Sequence, residues 1–161
     1  MVKRLLVLSL ISVFLLSACS KDDDTPPVPV ETPEQLLVKA AWKVEEIRYM
    51  QTNSNGGGAD YYYKRGVTGN VSNLDNESVR FDANGVGSYT VGATTSPIVW
   101  QFSNADKTRL TWTINYSGQP AMTVNWENIV ISATSLRYAE YFTTVVGGVT
   151  VKSLGSVTRI H

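Results

Sequence analysis

The sequence predicts an all-β fold: an antiparallel, up-and-down, eight-stranded barrel preceded by a short N-terminal helix. Three observations predict it. From Trp42 onward, apolar and polar residues alternate at a period of two. Turn signals recur at short intervals, among them Asn84-Gly85 and Gly147-Gly148. One segment alone carries a good helix start, and neither βαβ alternation nor a long repeat is present. Sequential hairpins favour a meander that pairs its first strand with its last. Closure of that kind removes exposed sheet edges.

The first segment reads as an address. Lys3 and Arg4 precede LLVLSLISVFLL, Leu5 to Leu16, which is apolar apart from two Ser. A bilayer span needs about 20 apolar residues, so residues 1–18 read as a signal peptide. Leu16-Ser17-Ala18-Cys19 follows, with the only Cys of the chain. This run resembles a bacterial lipobox, which implies cleavage just before Cys19 and acylation of its thiol and new amino terminus by palmitate-type chains. Several acyl chains on one residue anchor a protein durably, whereas one is marginal. Ser20-Lys21-Asp22-Asp23-Asp24 resembles the surface-export signal of Bacteroidota-type lipoproteins. The resemblance implies an outer-membrane protein on the cell surface; without export it would sit on the periplasmic face. The three Asp lack the surrounding ligands of a calcium loop. Thr25 to Val30 is Pro-rich and reads as an extended spacer; Ser20 to Glu31 would reach on the order of 35–40 Å. Residues 19–32 are therefore the lipidated tether and 33–161 the barrel domain.

Within the domain, Thr32-Pro33-Glu34-Gln35 predicts a capped helix start, with the helix running from Pro33 to about Ala40. Trp42 and Val44 share one strand face, and the apolar parity then switches to Ile47 and Tyr49, which predicts a bulge or a sharp bend. Gln51 to Asp60 reads as a flexible Gly-rich loop, Tyr61-Tyr62-Tyr63 as a second strand, and Arg65 to Asn76 as a loop. Val79 and Phe81 lead into the Asn84-Gly85 hairpin, continued by Tyr89 and Val91. Ile98, Trp100 and Phe102 alternate cleanly. So do Leu110, Trp112, Ile114 and Tyr116, and then Met122, Val124 and Trp126, with turns at Asn104 to Lys107 and Ser117 to Pro120. Leu136 to Val146 and Val149 to Ile160 form the last hairpin.

Composition narrows the function. With 14 Lys and Arg against 14 Asp and Glu, the chain lacks the basic face that nucleic acid requires. Removal of Lys3 and Arg4 with the leader leaves 12 positive against 14 negative residues. The single Cys excludes an internal disulfide framework, and the single His, at position 161, leaves little room for a Ser-His-Asp triad or a His-based zinc site. A carboxylate-based hydrolase is formally open, but no carboxylate pair stands out; Glu45-Glu46 point to opposite sides of a strand. The chain is expected to be a non-enzymatic monomer without metal or cofactor.

Trp100, Trp112 and Trp126, with Tyr89 and Phe102, are the candidate ligand contacts. The competing reading is that they fill the core, as large aromatics usually do. Trp42 is expected to close the bottom of the barrel near the helix. Tyr61-Tyr62-Tyr63-Lys64-Arg65 reads equally as a recognition patch or as an edge strand.

One pattern gathers Leu36-Leu37, the Trp42-Lys43-Val44 entry strand, Phe81-Asp82-Ala83-Asn84-Gly85 with Tyr89, Trp100-Gln101-Phe102, Leu110, and Ile129 to Leu136. It resembles the lipocalin-like (calycin-type) domain of small Bacteroidota lipoproteins, over Glu34 to His161. The entry Trp follows Ala40-Ala41 where that family has Gly. The resemblance implies fold and location far more than function; the reading of function is a barrel that binds a small apolar ligand or a surface-protein partner. The alternative is an interaction subunit or protease-inhibitor-like module with a filled barrel, acting through the loops at Gln51–Asp60 and Arg65–Asn76. A cavity of about 300 Å³ or more would mark the first and a packed interior the second.

Cys19→Ala should abolish metabolic lipid labelling and leave an uncleaved precursor. Normal labelling of that variant would remove the anchor.

Overall fold

Why the chain closes as a barrel is visible in its strand register. The computed structural model describes residues 29–115 and 120–161. The signal peptide, Cys19, Lys21, Asp22, Asp23 and Asp24, most of the Pro-rich spacer and the turn around Ser117 lie outside the described residues.

Helix α1 (Pro33–Val38) starts as predicted. Thr32 accepts from the Gln35 backbone N–H, and the Gln35 side chain accepts from the Thr32 N–H in return. Among the described residues nine strand segments follow: β1 (Trp42–Asn53), β2 (Gly58–Lys64), β3 (Glu77–Phe81), β4 (Val86–Val91), β5 (Thr94–Phe102), β6 (Leu110–Ile114), β7 (Met122–Ile131), β8 (Ser135–Val146) and β9 (Val149–Ile160). Each pairs antiparallel with its neighbour from β3 through β9, and β9 returns to pair with β1 along nearly its whole length.

The other edge of β1 is shared. Glu46 to Thr52 pair with β2, whereas Trp42 and Lys43 pair with Val79 and Ser78 of β3. Both partners run antiparallel to β1, so β2 and β3 are two halves of one barrel stave. Residues 65–76 are an excursion that breaks it. Counted this way the barrel has eight staves, closed, with α1 at one end: the predicted class, consistent with a calycin or lipocalin-like fold.

The excursion is tied down by side chains that replace missing ladder bonds. The Asn70 carboxamide accepts from the Lys64 N–H and donates to the Lys64 carbonyl, as a neighbouring strand would. Arg65 donates to the carbonyls of Val44 and Asp75 at 2.7 and 2.9 Å. The first of these lies at the bulge between Val44 and Glu46 that the parity switch predicted. Tyr63, fully buried, donates its phenol to Asp75 at 2.7 Å.

One expectation is corrected. Gln51 to Asp60 is not a long flexible loop, because β1 runs to Asn53 and β2 begins at Gly58. The Asn53 carboxamide accepts from the N–H groups of Asn55 and Gly57, and Gly56 takes the left-handed conformation at φ 81°. Together they fold the segment into a tight hairpin.

The half of the barrel nearest α1 is packed solid. Leu37, Trp42, Val44, Val79, Phe81, Leu110, Trp126 and Leu136 are all essentially inaccessible. The Trp42 indole donates to the Leu37 carbonyl at 2.9 Å, so this residue closes that end as expected. The His161 ring lies 3.9 Å from the Trp42 ring and caps it.

Only two residue pairs join β1 to β3, so the seam needs another bond. Arg159 of β9, 4% exposed, supplies it: its guanidinium donates to the Trp42 carbonyl and makes a two-pronged pair with Glu77 of β3, 2% exposed. Glu77→Gln should therefore cost about 3–5 kcal/mol in urea unfolding, because it strands a buried guanidinium. Glu77→Leu combined with Arg159→Met should cost much less, and equal losses in the two variants would mean that the charge pairing is not what holds the seam.

Candidate functional site

The other half of the barrel is hollow. A cavity of about 210 Å³ lies among β1, β2, β4, β6, β7 and β8. Its wall is Ile47, Tyr49, Tyr61, Leu74, Tyr89, Trp112, Met122, Val124 and Phe142, with Gln51 among them. Strand parity puts them there. Tyr49 and Gln51 share the inward face set by the bulge, and Leu74 is delivered by the 65–76 excursion. The Tyr49 ring stacks on Tyr61 at 6.0 Å and meets Phe142 edge-on at 5.7 Å.

Glu77, Glu140 and Arg159 also line the cavity, at the boundary with the packed half. Arg159 uses four of its N–H bonds on protein: one to the Tyr138 hydroxyl at 2.7 Å, one to Trp42 and two to Glu77. Burial works against its charge, but Glu77, Tyr138 and Glu140 together outweigh it and hold the pKa well above its ordinary value, so it stays protonated. Glu140, 6% exposed, accepts from the Tyr49 hydroxyl on one oxygen and from the Trp126 indole at 2.6 Å on the other. Trp126 in turn stacks on Tyr138 at 3.8 Å.

The Tyr49–Glu140 bond bridges β1 and β8 across β9. Gly155 makes room for it, since this glycine is the register partner of both. A Cβ at Gly155 would lie 1.8 Å from the Arg48 carbonyl oxygen, so the backbones approach too closely for any side chain.

Burial pushes the Glu140 carboxyl above its ordinary value of 4.5, against the pull of Arg159 and of the two hydrogen bonds. Burial, and next the Glu140 charge, push the Tyr49 phenol far up, so it remains a donor.

Of the candidate ligand contacts, Trp112 and Tyr89 line the cavity, with ring centroids 5.5 Å apart. Trp126 lies beneath it as a hydrogen-bond donor to Glu140. Trp100 packs edge-on to Phe81 and donates to the carbonyls of Asp82 and Val86, pinning the Asn84-Gly85 hairpin. Phe102 packs on Trp100 beneath the Lys107 ammonium. The Tyr triplet divides by parity: Tyr61 and Tyr63 point inward, while Tyr62 is exposed under the Arg48 guanidinium.

Sequence reasoning missed Tyr49, Glu77, Glu140 and Arg159 as site residues. It found no carboxylate pair, yet the fold brings Glu77 and Glu140 to one cavity. Glu77 has both oxygens held by Arg159, so it is a poor acid or base. Among the described residues no group of three or more His, Cys, Asp and Glu is placed to hold a metal ion. No family model, curated protein or solved structure matches the chain.

Glu140 should leave a signature in stability against pH. The folded state holds its proton above pH 4.5, where the unfolded chain releases it. Stability should therefore fall as pH rises from that value to the raised folded pKa, by up to about 1.4 kcal/mol per pH unit. Urea unfolding from pH 4 to 8 should show this falling limb in the parent protein and not in Glu140→Gln. Parallel curves for the two proteins would place the proton elsewhere.

Proposed function

We propose that this chain is a lipid-anchored outer-membrane lipoprotein, displayed on the cell surface, whose barrel binds a small ligand without chemistry. The observation that carries the ligand reading is the cavity of about 210 Å³, walled by aromatic and aliphatic side chains with fixed polar groups at its inner end. That combination is what small-molecule sites offer: apolar area for affinity and a few placed polar groups for orientation. Its volume lies below the roughly 300 Å³ that would mark a ligand barrel outright, yet this half of the interior is not packed solid, and the part of a ligand that it can enclose is small. The anchor and address rest on Cys19 and the Lys21-Asp22-Asp23-Asp24 run. The Pro-rich spacer would hold the barrel clear of the head groups.

Trp112 gives a direct test. Toluene and indole should perturb its emission saturably, and Trp112→Phe should lose that response. Val124→Phe, which fills the cavity from the wall, should abolish binding while leaving the protein folded. No saturable response to either compound would remove the ligand reading.

A second reading, an interaction subunit, has one observation of its own. Tyr141, Leu154 and Met50 stand side by side in register across β8, β9 and β1, and are 43%, 52% and 59% exposed. This apolar row on the outer wall is the surface a protein partner would cover. Leu154→Lys should then abolish recovery of a stoichiometric partner from detergent-solubilised membranes and leave the Trp112 response intact.

A further inference from the structure

The polar end of the cavity is unbalanced in charge, and that imbalance names a ligand class. Two carboxyl groups, Glu77 and Glu140, share it with one guanidinium. Arg159 and Glu77 satisfy each other, prong to prong. A guanidinium has five N–H donors, and four of these are already held by protein. Glu140 is different. Each of its oxygens accepts one bond, from Tyr49 and from Trp126, and both donors are neutral. An ionised carboxylate has about four acceptor sites, so Glu140, once it gives up the proton that burial favours, keeps capacity for further donors. Among the described residues no cation is in direct contact with it; Arg159 acts on it only through space.

The walls complete the pattern. Tyr49, Tyr61, Tyr89, Trp112 and Phe142 surround the space with aromatic rings, whose faces attract cations. Size sets the rest. A cavity of about 150 Å³ holds benzene, so about 210 Å³ has room for roughly eight or nine non-hydrogen atoms.

We propose that the cavity is a site for a compact aromatic amine, bound as the ammonium against Glu140 with its ring among Tyr49, Tyr89 and Trp112. This rests on the ligand-binding reading above and specifies its chemistry. A carboxylate of the same size would meet Glu77 and Glu140 and find one free N–H of Arg159. The ammonium supplies the counter-charge that Glu140 lacks.

Three probes share one ring and differ in one group: 2-phenylethylamine, 2-phenylethanol and phenylacetate. Titration calorimetry on the full chain, with Trp112 emission as a second readout, should give the amine at least about tenfold tighter binding than the alcohol, as expected for a charged hydrogen bond. Phenylacetate should bind more weakly than either. Glu140→Gln keeps the shape, because its amide can donate to the Tyr49 hydroxyl while its oxygen accepts from Trp126. In that variant the amine should lose its advantage and the alcohol should bind as before. Equal or tighter binding of the alcohol or the acid to the parent protein would overturn the amine proposal and leave the ligand site standing. An amine advantage that survives in Glu140→Gln would also overturn it. Failure of all three probes to bind would overturn the ligand reading itself.

Discussion

The fold depends on one buried guanidinium. An eight-staved barrel needs each stave to pair on both edges, and here one stave is cut by a twelve-residue excursion, residues 65–76. What remains of its lower pairing to β1 is two residue pairs. Backbone bonds at that seam are too few to close a cylinder firmly. Arg159 spans three strands at once, rooted in β9, bonded to the backbone of β1 and paired with a carboxylate on β3. Its planar fork suits this geometry in a way that a lysine ammonium could not. The ion pair also explains how the excursion is tolerated. The seam is closed by side chains, so the insert can leave the wall and return without a continuous ladder.

The same residue divides the interior. On the α1 side, Trp42, Phe81 and Trp126 pack to full burial. On the other, Tyr49, Trp112 and Phe142 stand around a space. The boundary is the polar layer of Arg159, Glu77, Tyr138 and Glu140, whose groups need hydrogen bonds and therefore fixed positions. Apolar side chains can slide to fill a void, but a hydrogen-bonded layer cannot move toward them without breaking its own contacts. Gly155 reinforces this. It lets the Tyr49–Glu140 bond form across β9, and it brings the β1 and β9 backbones into close approach.

Much of this was legible in the sequence, and what was not had a physical reason. Alternation gave the strands, the parity switch between Val44 and Ile47 gave the bulge, and Thr32 with Gln35 gave the helix start. The broken stave was invisible because β2 and β3 each look like a complete short strand; only the register of Glu46 with Lys64 and of Lys43 with Ser78 shows that they continue one another. The Asn53 hairpin was hidden by its glycines, which read as looseness when one of them serves a tight turn. The charged interior left a usable trace. Leu136, Tyr138, Glu140 and Phe142 share one face, as do Glu77, Val79 and Phe81, and Val157 and Arg159. An ionisable residue at an inward position is out of place by parity. The pattern marks it, but not its partner, because Glu77 and Arg159 are 82 residues apart.

The two buried acids do not have equal claims to be structural. A buried ion pair is seldom a source of stability by itself, since apolar packing of the same volume often does as well. Glu77 nevertheless has a reason to be charged, because the guanidinium it pairs with closes the seam. Glu140 has no such reason. Its two partners are neutral donors, and any acceptor of similar shape would satisfy them at a smaller desolvation cost. The carboxyl instead stands where the packed and hollow halves meet, in the wall of the cavity and short of a counter-charge. A group that raises the cost of folding without tying elements that need a charge is what the proposed ammonium ligand would account for.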